Sequence, residues 1–192
     1  MNNMDSTQDE HPARIIRKEF FAYRNGIVAD KLRNAGDPHP IIMGCLLVDL
    51  LDITRRMREQ IGNKERLALL AQELWNDTNS RECRLAAPML YPHELMTMPL
   101  AAQWCQSVET IEISDNLCHK LLRHMAGAEE LMAQLIRNHL PLVKYTGYRL
   151  MLNLLMTGQI QSPASIKPLV EAERASATGN LLTLLKDIEE EF

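Results

Sequence analysis

Apolar residues recur at helical spacing along almost the whole chain, whereas the alternation that marks a β-strand never persists for more than a few residues. The pattern predicts an all-α protein with eleven helices. Their expected ranges are 12–24, 26–35, 39–60, 63–76, 80–90, 94–107, 110–125, 128–139, 141–157, 164–177 and 180–190.

Residues that begin helices stand at the expected boundaries. Asn63, Asn79 and Thr97 occupy positions where a side chain caps the free amides of a first turn. Pro141 and Pro163 suit the first helical position, where the missing N–H costs nothing. The loops between the helices are short, so consecutive helices are expected to be antiparallel neighbours, either in a bundle or in a solenoid of helix pairs.

A weak internal repeat favours the solenoid. Arg81, Asp115 and Arg149 are separated by 34 residues, twice over. A period of this length with two helices per unit is typical of stacked helical repeats. In this register the three charged residues begin three helices and lie along one face. Residues 13–192 are expected to form a single domain behind a flexible N-terminal segment, residues 1–12.

Composition narrows the class of protein. Hydrophobic residues make up 46% of the chain and charged residues 24%, which is an ordinary globular balance. The N-terminus is polar and acidic, unlike a signal peptide, and no apolar run reaches membrane length, so we expect a cytoplasmic protein. The cysteines lie far apart, which favours reduced core thiols over disulfides or a zinc site. They are Cys45, Cys83, Cys105 and Cys118.

Two pairs of charged residues are candidates for chemistry. Arg81 and Arg84 lie near the start of a helix, where the helix dipole disfavours cations. They could contact phosphate, or they could be paired with neighbouring acids. Asp115 and Arg149 interrupt strongly apolar helices, and buried charges are costly unless they are paired. They could form a carboxylate site in a cleft or a structural ion pair. We expect no metal or cofactor, because His119 and His124 are wrongly spaced for shared ligation.

A family resemblance extends over residues 14–157. It is carried by RNGIVADKLRNAG, by LAQELW followed by SRECRLAAPML, by the spacing of Trp104 and Asp115, and by YTGYRLML. In these motifs and their order the chain resembles the DNA alkylation repair family, the alkylpurine DNA glycosylases with HEAT-like repeats. The resemblance implies a right-handed α-α superhelix of antiparallel helix pairs, of the HEAT-like or ARM type, whose concave face holds duplex DNA.

The resemblance also implies an activity, the excision of cationic N3- and N7-alkylpurines. Asp115 would stabilise the oxocarbenium-like sugar and position water, while Arg149 would bind a backbone phosphate or hold Asp115 in place. The other residues expected to contact DNA are Arg81, Arg84, Trp104, Lys120, Lys144, Tyr145 and Tyr148.

The chain departs from the family pattern at Ile111. Family enzymes carry a tryptophan one helical turn before the aspartate, and here that position is an isoleucine. An isoleucine cannot stack on a cationic base, so we expect weak glycosylase activity. The alternative hypothesis is a non-catalytic helical-repeat scaffold that binds a protein partner.

Overall fold

The computed structural model describes residues 11–160 and 162–192. Within these residues the chain forms eleven α-helices and no β-strand, apart from an isolated bridge between Ile41 and Ser80. The predicted all-α class is therefore confirmed. Most of the N-terminal segment predicted to be flexible lies outside the described residues. The chain is grouped into two compact units, Met1–Pro92 and His93–Phe192, and each is described by itself.

Unit 1, Met1–Pro92, contains the first five helices. They are α1 (Pro12–Ala22), α2 (Gly26–Asn34), α3 (Leu47–Ile61), α4 (Lys64–Trp75) and α5 (Arg81–Leu90). Helix α5 packs against both α3 and α4, and every one of its residues is buried. It is therefore the central helix of unit 1.

Unit 2, His93–Phe192, contains six α-helices and two short 3₁₀ helices, His93–Leu95 and Leu122–His124. The α-helices are α6 (Met98–Gln106), α7 (Ile111–Lys120), α8 (Ala128–Leu135), α9 (Pro141–Met156), α10 (Pro163–Arg174) and α11 (Gly179–Glu189). Helix α9 packs against α7, α8 and α11, so it has the same central place in unit 2 as α5 has in unit 1.

The largest departure from the predicted helices is at the start of α3. This helix was expected to begin at residue 39, but it begins at Leu47, and the segment before it is irregular. Gly44 has φ 75°, and a Cβ there would collide with the backbone oxygen of Asn25. The backbone amides of Met43 and Gly44 each donate to the carboxylate of Glu82 at 3.0 Å. These tertiary bonds hold the segment in an irregular conformation, although its apolar pattern resembles that of a helix.

Most of the predicted helix starts are correct. Asn63 and Thr97 accept hydrogen bonds from the first turns of α4 and α6, and Pro141 is the first residue of α9. The predicted cap at Asn79 is wrong by one position, because the hydroxyl of Ser80 caps α5.

The predicted 34-residue register does not hold in detail. Arg81 is the first residue of α5, but Asp115 lies in the middle of α7 and Arg149 in the middle of α9. The three residues therefore do not begin three helices.

The cysteines are core residues, as predicted. All four are free and buried. Burial raises the pKa of Cys45 and Cys105 to about 12 and that of Cys83 to about 11, which keeps these thiols protonated and unreactive. No group of His, Cys, Asp or Glu side chains in residues 11–160 and 162–192 is arranged to hold a metal ion. In the same residues no helix is both long and apolar enough to cross a membrane.

Helix α9 approaches its neighbours closely because residue 147 is a glycine. A Cβ on Gly147 would lie 2.7 Å from the backbone nitrogen of Ile136 and 2.9 Å from the Cβ of Leu135. On the neighbouring residue, the hydroxyl of Thr146 lies 2.9 Å from that of Ser114 on α7. The close approach to α8 and the hydrogen bond to α7 together fix the position of α9.

We expect Gly147→Ala to destabilise the protein by about 1–3 kcal/mol, the usual cost of overpacking a core. Alanine raises helix propensity by about 1 kcal/mol over glycine, but a backbone nitrogen cannot move aside as a flexible side chain can. Urea unfolding measures the difference. The matched control is Gly26→Ala, where nothing lies within 4 Å of the added Cβ. A Gly147→Ala protein as stable as the wild type would contradict this account of α9.

Candidate functional site

A partly exposed carboxylate lies between α7 and α9. The Nε of Arg149 is 3.3 Å from Oδ1 of Asp115, and the hydroxyl of Tyr145 donates to the same oxygen at 3.0 Å. Tyr145 and Arg149 are four residues apart on α9, so they share the helix face that meets α7. The facing pair of charges that the sequence indicated is therefore present.

The site is neither a closed core nor a free surface. The Asp115 side chain is 34% exposed and the Arg149 side chain 27% exposed. Partial burial raises the pKa of Asp115, Arg149 and the Tyr145 hydrogen bond oppose this rise, and Glu112 adds to it. Burial and the charge of Asp115 raise the pKa of Tyr145, which keeps its hydroxyl protonated as a donor.

This arrangement can stabilise a developing positive charge. Within the described residues, the ion-pair contact of Arg149 and the hydrogen bond of Tyr145 both involve Oδ1 of Asp115. A carboxylate fixed in this way is oriented before any reaction begins. Ile111 lies one helical turn before Asp115 and is partly exposed, so the side chain beside the carboxylate on this face is aliphatic.

The other unit 2 residues expected to contact DNA are placed differently. The Nζ of Lys144 lies 3.0 and 3.1 Å from the two carboxylate oxygens of Glu173, so its charge is paired with α10. Tyr148 is 3% exposed and Trp104 is 2% exposed, and both rings belong to the core. Neither Tyr148 nor Trp104 has an exposed ring face that could replace the missing aromatic. We do not include these two residues among those that we propose to contact DNA.

Arg81 and Arg84 in unit 1 are also held inside the protein. Nη1 of Arg81 lies 2.9 Å from Oε1 of Glu82, a carboxylate with no exposed surface. The guanidinium of Arg84 lies 3.7 Å from the centre of the Trp75 ring and donates to the Trp75 carbonyl. Arg81 is paired with an acid, as in the alternative hypothesis, whereas Arg84 contacts Trp75, and both arginines are buried and not on the surface. Glu82, which lies between the two arginines in sequence, could have indicated this pairing. Neither arginine is among the residues that we propose to contact DNA.

One group of residues was missed by the sequence analysis. Lys120 was expected to contact DNA, but its neighbours Arg123 and His124 were not, and His93 was not considered. Arg123 and His124 lie in contact with each other, and the ring of His124 lies close to that of His93. Because His93 is remote in sequence from His124, no local sequence pattern could have indicated this group.

Helix pairs and a partly exposed Asp–Arg pair define the protein as a helical-repeat protein with a carboxylate site. A solved structure supports the fold. It is described as belonging to "a new family of proteins related to the HEAT-like repeat DNA glycosylases with affinity for branched DNA structures". The two structures align with a TM-score of 0.73 over 93% of this chain and 74% of the other, at 16% sequence identity. This similarity shows the HEAT-like repeat fold.

The sequence gives the family. Over residues 16–168 the chain matches the family described as DNA alkylation repair enzyme, and it therefore belongs to that family. No curated protein matches the sequence.

We expect Tyr145→Phe to raise the pKa of Asp115, because the carboxylate loses a hydrogen bond that favours its ionised form. The titration of the Asp115 side-chain carboxyl can be followed by NMR in the full-length protein. Tyr148→Phe is the matched control, since its hydroxyl is not among the groups that shift Asp115. An Asp115 pKa that is equal in the wild type and Tyr145→Phe would show that the hydrogen bond does not form in solution.

Proposed function

We propose that the protein binds DNA through the surface of unit 2 that carries Asp115 and Arg149, and that Asp115 supports slow excision of cationic N3- and N7-alkylpurines. The observation that carries this proposal is the partly exposed Asp115 carboxylate, held by Arg149 and Tyr145. Membership of the DNA alkylation repair enzyme family supports it.

The proposed chemistry demands little of the protein. A cationic alkylpurine is already a good leaving group, so the main requirement is to stabilise the positive sugar that remains as the glycosidic bond breaks. Asp115 supplies the negative charge and can position the attacking water. Arg149 favours the ionised form of Asp115 and holds its orientation. The proposal requires no cofactor or metal.

Ile111 limits the rate. An aromatic ring near a cation contributes about 0.5–2 kcal/mol, which an isoleucine cannot supply. This difference corresponds to a factor of roughly 2–30 in rate, since each 1.36 kcal/mol is about tenfold. Excision by this protein should therefore be slow, and confined to bases that leave readily.

The structural relative suggests a further property of the DNA that is bound. That protein belongs to a family with affinity for branched DNA structures and has the same fold as this chain. We extend this affinity to the present protein as part of the proposal. A site that is partly open to solvent at α7 and α9, as Asp115 is, suits a strand that leaves a regular duplex better than a deep pocket does.

A second candidate function is a scaffold that binds a protein partner, and a surface of unit 1 favours it. Apolar side chains are exposed at the end of α1, at the start of α2 and around the start of α3, with Ile27 72% and Val48 65% exposed. The other members are Phe21, Leu46 and Leu47. Exposed apolar groups that gather in one region often mark an interaction site. If the protein shows neither excision nor DNA binding, the result would favour the scaffold function.

The excision hypothesis is tested with two substitutions assayed on DNA that contains N7-methylguanine or N3-methyladenine. We expect Asp115→Asn to abolish excision, because the amide carries no negative charge. We expect Ile111→Trp to raise the rate by roughly 2–30-fold through stacking on the cation. Excision of N7-methylguanine that persists unchanged in Asp115→Asn would show that Asp115 is structural.

The pH dependence of the excision rate tests whether the reaction requires ionised Asp115. The reaction requires ionised Asp115, so the rate should fall as the pH decreases through the raised pKa of this group. The acidic limb should therefore lie at higher pH than for an ordinary carboxylate, and at still higher pH in Tyr145→Phe.

DNA binding is tested through its dependence on salt. Each phosphate contact contributes about 0.9 to the slope of log K against log salt, so Arg149→Ala should lower the slope by about one unit. The matched control is Arg174→Ala, since Arg174 is paired with Glu189 at 3.0 Å. Fluorescence anisotropy with a short duplex and a four-way junction provides the affinities, and the junction should bind more tightly. Equal salt slopes for wild type and Arg149→Ala would remove Arg149 from the interface.

A further inference from the structure

Basic side chains gather where α7 ends. Lys120 is the last residue of α7, and Arg123 and His124 follow in the 3₁₀ helix Leu122–His124. His93, from the first 3₁₀ helix of unit 2, completes the group, with its ring centre 5.8 Å from that of His124. We refer to these four residues as the basic cluster.

Positive groups repel one another in the basic cluster. Burial, then Arg123, His93 and Lys120 lower the pKa of His124, and burial and Arg123 lower that of Lys120. The charged groups with the largest effects on the pKa of His124 are Arg123, His93 and Lys120, and all three are basic. A bound anion would relieve this repulsion, and it would favour the charged forms of the same groups.

Other charged groups lie on the elements packed around the cluster. Glu94 lies 3.6 Å from His93, and α8 begins with acidic residues. On α9, Arg149 adds positive charge. Burial, Arg123, Lys120, Arg149 and His124 lower the pKa of His119 on α7, which favours its neutral form. The other charged residues on these elements are Glu129 and Glu130 on α8 and Lys144 on α9. Lys144 is paired with Glu173. The combined effect of burial and of these surroundings is a lowered pKa of His124.

The basic cluster follows the end of α7, the helix that carries Asp115. Ile111, Asp115 and His119 are spaced four residues apart on α7 and are partly exposed, and Arg123, also partly exposed, lies in the 3₁₀ helix just beyond. Asp115 and His119 are one turn apart, about 6 Å along the axis, and the cluster follows directly. A DNA strand that places a sugar at Asp115 therefore brings neighbouring phosphates to this end of α7.

We propose that the basic cluster binds a phosphate group of the DNA backbone, and that His124 takes up a proton when the phosphate binds. In the free protein the Nε of Arg123 lies 3.1 Å from Nε2 of His124 and donates to it, which requires an unprotonated ring nitrogen. Once protonated, Nε2 becomes a donor, so Arg123 and His124 can both donate to phosphate oxygens. The choice of a DNA phosphate rests on the proposed function, whereas the anion site itself does not.

Proton uptake links DNA affinity to pH. Because a bound phosphate favours protonated His124, DNA should bind more tightly as the pH falls from 8 to 6, by about fivefold or more, as in other couplings between two sites. His124→Gln should remove this dependence. His139→Gln is the matched control, because His139 is exposed on unit 2 and lies outside the cluster. Arg123→Ala should lower the salt slope of DNA binding by about one unit.

Two measurements on the full-length protein test the inference. The first is the affinity for a duplex and a four-way junction at pH 6, 7 and 8. The second is the titration of the His124 ring by NMR, free, with DNA and with inorganic phosphate. We expect both ligands to raise the pKa of His124, and DNA to raise it at lower concentration than phosphate does.

The outcomes separate this inference from the proposed function. DNA binding that ignores pH, with an unchanged His124 pKa, would overturn the phosphate site and leave the proposed function standing. No DNA binding, together with a His124 pKa raised by inorganic phosphate, would support the anion site and overturn the proposed function. A His124 pKa that neither ligand changes would overturn the inference.

Discussion

Unit 2 depends on how closely α9 can approach its neighbours. At Gly147 any side chain would press against the backbone of Ile136, so the helix reaches its position only because this residue has no Cβ. The adjacent Thr146 then lies close enough for its hydroxyl to bond Ser114 on α7. The same packing brings Arg149 onto Asp115. A single constraint on backbone separation thus determines the geometry of the carboxylate site.

The two units use charged residues in opposite ways. In unit 1, Glu82 is fully buried and bonds Arg81 and the amides of Met43 and Gly44. Breaking such a network leaves an uncompensated charge, so these groups hold the structure in place and cannot leave it to bind a ligand. In unit 2, Asp115 retains solvent access and a raised pKa, which is the usual condition of a functional carboxylate.

Under the proposed function, DNA binding and excision depend on different residues of unit 2. Binding requires positive groups near the phosphates, and those remain at Arg149 and in the basic cluster. Rapid excision requires in addition a ring beside the leaving base, and Ile111 does not provide one. The buried Trp104 and Tyr148 cannot compensate, because both rings are already packed in the core. In this proposal, position 111 on α7 has the largest effect on the rate of excision.

The sequence by itself determined the helical class and most helix boundaries, because apolar periodicity and capping residues are local signals. It also singled out Asp115 and Arg149 as charges in apolar helices, but their contact results from the packing of α9 against α7. It did not determine the irregular segment before α3, since a carboxylate 38 residues away in sequence holds the amide of Gly44. Nor did it determine that Arg81 and Arg84 are buried, or that His93 lies beside His124. Exposure and proximity are properties of the packed chain, so only the tertiary structure could decide which charges hold the fold and which remain available to bind.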